Sequence, residues 1–224
     1  SSSTLTDSAR TIYKLSAPTI TKTAIAGGQK VTFSCNTDTA GNTVSGIAIH
    51  YKNGTSVSAS DTTIAHGGTL SLTPSAQTSY TYRALATKDN YVNSDAATPL
   101  SFTIYKLQAP SWGSFSNIEN GKRITLTAYS AYVNGSNNTA VSGVSTSYTA
   151  PTSTLTISGA GTATKDWTGT AYPSGRTLTA TSSLDGYISS TSTTTLTLYK
   201  LSTPTVAAAA NATPGKSVKL TCAT

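Results

Sequence analysis

The chain has 224 residues, of which only 10% are charged, with a formal net charge of +7. Soluble domains usually carry roughly 25% charged residues; here Ser, Thr, Ala, Asn and Gly take that place and methionine is absent. This composition disfavours long helices, because Ser, Thr and Asn compete for backbone hydrogen bonds. It also gathers no dense basic patch of the kind a nucleic-acid footprint needs, since Lys122-Arg123 lies beside Glu119.

In chain order, the first segments read as strands. Val31, Phe33 and Cys35 alternate with Thr32 and Ser34, and Ile47, Ile49 and Tyr51 alternate with Ala48 and His50. Leu70 and Leu72 follow, then Tyr80 to Ala86 and Leu100 to Tyr105. A period of two puts one face on a core and the other in water. Turn signals separate these runs at Gly27-Gly28, Asn53-Gly54, His66-Gly67-Gly68 and Lys88-Asp89-Asn90. Asn53-Gly54 is the best two-residue hairpin candidate, because both residues tolerate positive φ. Six or seven strands per unit are expected, with no amphipathic helix.

Three blocks then repeat. Tyr13-Lys14-Leu15-Ser16-Ala17-Pro18-Thr19 recurs at Tyr105–Ser111 and at Tyr199–Thr205, 92 and 94 residues on. Gly28–Cys35 recurs at Gly121–Ala128 and at Gly215–Cys222. Asp89-Asn90-Tyr91-Val92-Asn93-Ser94 recurs at Asp185–Ser190. A step of about 93 residues suits an immunoglobulin-like sandwich and exceeds the repeat of any solenoid. The expected fold class is therefore all-β, with tandem immunoglobulin-like β-sandwich domains arranged as a semi-rigid rod. The expected divisions are 1–14 (last strand of a preceding repeat), 15–106 and 107–200 (complete repeats) and 201–224 (first strands of a following repeat).

The junctions follow from the first block. Tyr13, Leu15 and Pro18, Tyr105, Leu107 and Pro110, and Tyr199, Leu201 and Pro204 stand where one repeat passes into the next. Proline fixes its own φ and disfavours the helical region for the residue before it. Connections this short should hold neighbouring units at a near-fixed angle.

Val31–Cys35, Ile47–Thr55 and Tyr80–Ser94 resemble bacterial immunoglobulin/fibronectin-III-like tandem repeats, and most closely the chitobiase/β-hexosaminidase C-terminal-like domain. The second unit departs from that pattern: Ala128 replaces the Cys, and Thr146-Ser147-Tyr148-Thr149 matches the hairpin only loosely, while Ala180, Gly186, Tyr187 and Ser190 are kept. The resemblance implies an accessory or adhesive β-sandwich module in a secreted or surface bacterial protein or a phage fibre. It brings no catalytic residues.

The residues that could carry chemistry are sparse. Cys35 and Cys222 hold the same place in different units, so they should lie roughly 35–40 Å apart, a domain length at ~3.3 Å per strand residue. A disulfide needs Cα atoms within ~7 Å, so a reduced, buried thiol is expected. His50 and His66 are the two histidines, and neither has ligand-spaced neighbours; both read as solvent-exposed. Asp38, Asp61 and Asp89 are isolated, against the several carboxylates that calcium usually takes. No metal and no cofactor is expected. No stretch approaches the ~20 apolar residues of a membrane span. Ser1-Ser2-Ser3-Thr4 lacks the regions of a signal peptide, which says nothing of compartment in a chain that begins partway through a repeat.

The expected role is a non-catalytic structural or adhesive stalk in an extracellular surface protein, filament or fibre, with neighbouring repeats of the same longer chain as partners. One alternative is a carbohydrate-binding accessory module that meets a surface glycan or host receptor through Trp112, Trp167 and Tyr172, with Tyr129 and Tyr132 nearby. The plainer reading packs Trp112 at the junction just after Pro110 and makes Tyr91 and Tyr187 core or corner tyrosines. The other alternative is a phage fibre or virion-decorating domain. Sequons stand at Asn53, Asn134, Asn137 and Asn211.

Overall fold

A computed structural model describes residues 11–149, 154–168, 171–206 and 220–221, which form β-strands and turns without helix. Two compact units emerge: the described residues up to 107, with 131–140 and 183–189, make the first, and the other described residues make the second.

The first unit opens with β1 (Thr19–Ile25), β2 (Gly28–Ser34), β3 (Ala48–Asn53), β4 (Thr62–Ile64), β5 (Gly68–Leu72), β6 (Thr78–Thr87) and β7 (Leu100–Ile104). They make two antiparallel sheets, in the orders β1-β2-β5 and β4-β3-β6-β7. Alternation explains the packing. Val31 and Phe33 of β2 and Ile49, Ala84 and Ala86 of β3 and β6 are wholly buried and share one apolar cluster. Each such Val, Ile or Phe contributes about 1.5–3 kcal/mol by leaving water. Phe33 also meets Tyr82 edge-on at 5.8 Å and Tyr51 at 4.9 Å between ring centroids, the geometry aromatic quadrupoles favour.

A small sheet completes this unit: β8 (Lys106–Leu107), then β12 (Ala131–Asn134) and β13 (Asn137–Ala140), in the order β13-β12-β8. The second unit contains β9 (Ser111–Trp112), β10 (Ser116–Ile118), β11 (Gly121–Ala128), β14 (Ser145–Thr149), β15 (Thr154–Ser158), β16 (Gly161–Thr168), β17 (Tyr172–Ser183) and β18 (Ser190–Leu198). Its sheets run β10-β11-β16, with β9 also on β11, and β15-β14-β17-β18. Ile124, Leu126, Tyr148, Trp167, Leu178, Ala180 and Leu196 fill its core. Two further short strands, β19 (Thr205–Val206) and β20 (Leu220–Thr221), pair antiparallel.

Asn53-Gly54 does not close a two-residue hairpin: β3 ends at Asn53 and β4 begins only at Thr62. The Asn53 side-chain oxygen instead accepts the Thr81 amide at 2.8 Å, and the Gly54 amide donates to the Thr81 carbonyl at 2.9 Å, binding the end of β3 to β6.

The glycine heading the second repeated block has a steric reason. A Cβ on Gly28 would lie 1.9 Å from the Leu72 carbonyl oxygen, and one on Gly121 would lie 1.9 Å from the Trp167 carbonyl oxygen. Backbone cannot yield as a side-chain tip can. Gly121→Ala is therefore expected to destabilise the chain by about 3 kcal/mol, at the upper end of overpacking costs. Thermal denaturation of the variant checks this; an unchanged midpoint would contradict the close approach.

Candidate functional site

The residues that repeat most strictly do not gather around a cleft. They gather around the Tyr-Lys-Leu segment of the first repeated block, here called the linker for its place in the sequence. Lys14 forms a parallel bridge with Val92, and Lys106 forms the same bridge with Ile188. In the first case the Leu15 amide donates to the Val92 carbonyl at 3.0 Å and the Val92 amide to the Tyr13 carbonyl at 2.9 Å. In the second the Leu107 amide donates to the Ile188 carbonyl and the Ile188 amide to the Tyr105 carbonyl, both at 2.9 Å. The first and third repeated blocks thus hold each other by identical pairs of bonds.

The linker's other edge is also filled. Thr39 donates its amide to the Lys14 carbonyl at 2.8 Å, and Ser16 donates to the Thr37 carbonyl at 3.0 Å. Around the second linker β12 takes this place, with Tyr132 opposite Leu107 and Val133 opposite Lys106. Lys106–Leu107 is therefore a short central strand, Lys14 and Leu15 hold the same place through isolated bridges, and both leucines are buried: Leu107 is 1% exposed and Leu15 0%. Pro18 and Pro110 are buried just beyond it. Tyr105, Tyr132 and Tyr187 form a chain of rings, with centroids 4.5 Å and 5.5 Å apart. Burial, with the neighbouring Tyr132 and Tyr105 phenols, pushes the Tyr187 hydroxyl above its ordinary pKa.

The turn carrying the third block is seated as well. Gly186 donates its amide to the Ile25 carbonyl at 2.9 Å, and its own carbonyl accepts from the Gln29 side chain at 3.4 Å. Its φ is +88°, and a Cβ there would lie 2.9 Å from the Gln29 side-chain nitrogen and 3.2 Å from the Ala24 Cβ. Glycine is required twice over, by conformation and by space.

Asp38 shapes the loop that flanks the first linker. One carboxylate oxygen accepts the Ala40 and Asn42 amides and the other accepts the Asn42 side chain, all at 2.9 Å. The carboxylate is committed to its own loop, an Asx-type turn. The Asn42 side chain, helped by the Asn42, Ala40 and Gly41 amides and opposed by burial, holds its pKa below the ordinary 3.8.

The other candidates fall elsewhere. Cys35 is a free, buried thiol that donates to the Ser16 carbonyl at 3.1 Å, and burial raises its pKa; Cys222 lies outside the described residues. His50 is not exposed as its alternation suggested. Its strand β3 is covered by the loop before β4, so Nδ1 donates to the Asp61 carbonyl at 3.1 Å and Nε2 meets the Thr87 hydroxyl at 2.8 Å. His66 is exposed, and its Nδ1 accepts the Cys35 amide at 3.1 Å. Among the described residues no three His, Cys, Asp or Glu side chains gather as metal ligands, and no helix is long and apolar enough to cross a membrane.

Of the aromatic residues read as glycan contacts, the two tryptophans pack in or against the core of the second unit. Trp167 is only 6% exposed and lies in the core of the second unit. Trp112 is half-buried against that core and meets Tyr148 edge-on at 5.7 Å. The Tyr172 side chain lies outside the described residues; its backbone opens β17. Tyr129 bonds Ser111 at 2.9 Å. The basic pair Lys122-Arg123 is tied locally: Arg123 forms a two-point pair with Asp166, directly across β11 and β16. Asn53, Asn134 and Asn137 are exposed; Asn211 lies outside the described residues. The third linker differs from the first two, for Tyr199, Leu201 and Pro204 are exposed. The pairing of the first and third blocks was not anticipated, although their recurrence in the same order in both repeats was the signal for it.

No protein-family model matches the chain, and a search of the curated proteins found no match to it.

Two outcomes follow from this geometry. Gly186→Val is expected to cost about 2 kcal/mol, from the left-handed backbone penalty and the lost approach to Gln29; hydrogen exchange should show the loss concentrated at residues 183–189, and a uniform loss would contradict the seating. The Asp38 bonds need the ionised carboxylate, so their contribution is complete above the ordinary 3.8 and disappears as pH falls through the depressed value. Amide exchange at Ala40 and Asn42 should therefore rise selectively in acid, while the Ile49 and Ala86 amides of β3 and β6 hold; no acid response at Ala40 would contradict the cap.

Proposed function

We propose that the chain is a non-catalytic stalk segment built of tandem immunoglobulin-like sandwiches, serving as a spacer in an extracellular surface protein, filament or fibre. The strand orders support the sandwich reading. Leaving aside β9, which also pairs β11, both β1-β2-β5 with β4-β3-β6-β7 and β10-β11-β16 with β15-β14-β17-β18 follow one scheme, in which the first, second and fifth strands pair apart from the other four. Two antiparallel sheets enclosing one core are the construction of such domains.

The observation that carries the stalk reading is the continuity of strand and linker. β7 ends at Ile104 and β8 begins at Lys106, with no loop between them. The backbone that closes one sheet is thus gripped at once by the β12 hairpin and the turn at Ile188. A pull along the chain meets hydrogen-bonded strand at the point where a flexible tether would first give way. The Thr- and Ser-rich outer faces suit a solvated spacer. They bond along the sheets, as between Ser79 and Thr103 at 2.7 Å and between Thr181 and Thr191 at 3.0 Å, which limits their need for charge. A glycan-binding role draws on ring faces that Trp167 and Trp112 have turned into the core.

Single-molecule stretching of the 224-residue chain tests the proposal. Two main unfolding events are expected, each lengthening the chain by roughly 300 Å, the extended length of one ~93-residue repeat at about 3.3–3.6 Å per residue. A single event releasing the whole chain, or smooth extension, would contradict two separate sandwiches.

A further inference from the structure

We propose that the face of the second unit formed by Asn117–Lys122 and Leu198–Leu201 is a docking seat for a third repeat of the same kind, one that takes Tyr199-Lys200-Leu201 as its own clamped strand. This rests on the stalk reading and specifies its partner.

The seat already exists once, filled, in the first unit. There the turn between β1 and β2 holds Gly186 through Ile25 and Gln29, and residues 105–107 hold Ile188. The second unit rebuilds every part of it. Ile118 pairs with Gly121 as Ile25 pairs with Gly28. Asn120 takes a positive φ of 57°, where Gly27 takes 73°. By this register Asn117, Ile118 and Lys122 stand for Ala24, Ile25 and Gln29, while Leu198, Tyr199 and Leu201 stand for Ile104, Tyr105 and Leu107.

In the second unit these residues line an open cavity of about 590 Å³. Tyr199 is 75% exposed and Leu201 69%, whereas Leu107 in the filled seat is 1% exposed. An exposed leucine beside an exposed tyrosine on a formed rim is a surface shaped for a partner.

The strands beyond the rim identify that partner. Thr205 pairs with Thr221 and Val206 with Leu220. Thr19 pairs with Ser34 and Ile20 with Phe33 in the first repeat. The repeated blocks align these four pairs position for position, so β19 and β20 have the register of an opening repeat. Its hairpin and its Gly-Tyr turn would cover Leu201 and bond the Ile118 carbonyl. The mating half is likewise open on the first unit, where Val92 is 50% exposed against 7% for Ile188. A second copy of the chain, docking end to end, is therefore the competing occupant.

The test appends residues 131–198 of this chain after Thr224, which continues the alignment set by Cys222 and Ala128 and completes a third repeat. Hydrogen exchange is compared with the original 224-residue chain at several concentrations, alongside single-molecule stretching. The expected result is a third unfolding event, with exchange at Leu201 and across residues 117–122 slowed at least about tenfold, as for segments gaining strand hydrogen bonds. Replacing the glycine of the appended turn, the copy of Gly186, by valine should reverse the protection at 117–122 and leave the third event in place. A third event without added protection overturns the docking seat and leaves the stalk reading standing. Absence of a third event overturns both. Concentration-dependent protection in the original chain makes a second copy the occupant and overturns the proposal.

Discussion

The same pair of backbone hydrogen bonds, placed around Leu15 and again around Leu107, holds each Tyr-Lys-Leu segment against the turn of the third repeated block. An irregular connecting segment is ordinarily exposed, with amides satisfied by water. Here Tyr13 and Leu15 exchange bonds with Val92, and Tyr105 and Leu107 exchange them with Ile188. Once the linker lies between two loops, its leucine must be apolar and its neighbouring amides must be paired. The turn that grips it must also present a backbone edge in register. That accounts for the first and third blocks recurring together.

The grip depends on how the loops are themselves held. The Asp38 carboxylate organises the loop beside the first linker by accepting two amides and one side chain. The hairpin of β12 and β13 does the same work beside the second linker without a buried charge, using the Tyr105, Tyr132 and Tyr187 rings. Two chemically different solutions therefore support the same bridge. The sheets behind them provide stiffness through apolar cores, around Phe33 in one unit and around Tyr148 and Trp167 in the other. The second core is the less tidy. The indole nitrogens of Trp112 and Trp167 and the Tyr148 hydroxyl are buried with no hydrogen-bond partner among the described residues.

Much of this was legible in the residues. Alternation at Val31, Phe33 and Cys35 marked β2, and the period of the repeated blocks marked equivalent positions correctly enough that Gly28 and Gly121 meet the same steric limit. Other features were hidden because they arise from tertiary covering. His50 alternates to the outer face of β3, yet a loop closes over it and satisfies both ring nitrogens. Asn53-Gly54 has the composition of a tight turn, but its side chain is drawn to Thr81 instead. Trp167 was a candidate glycan contact under the alternative reading, while its place in β16, opposite Lys122 of β11, puts it in the core. The link between Gly186 and Ile25 spans more than one whole repeat, and local pattern carries no trace of which turn meets which.

Native-state hydrogen exchange at the amides of Leu15, Val92, Leu107 and Ile188 tests the clamped linker most directly. The account predicts protection at all four approaching that of the Ile49 and Leu126 amides within the sheets. Exchange at the rates of an open loop, with the sheets still protected, would mean that the linker is a tether and that the repeated blocks are not held together.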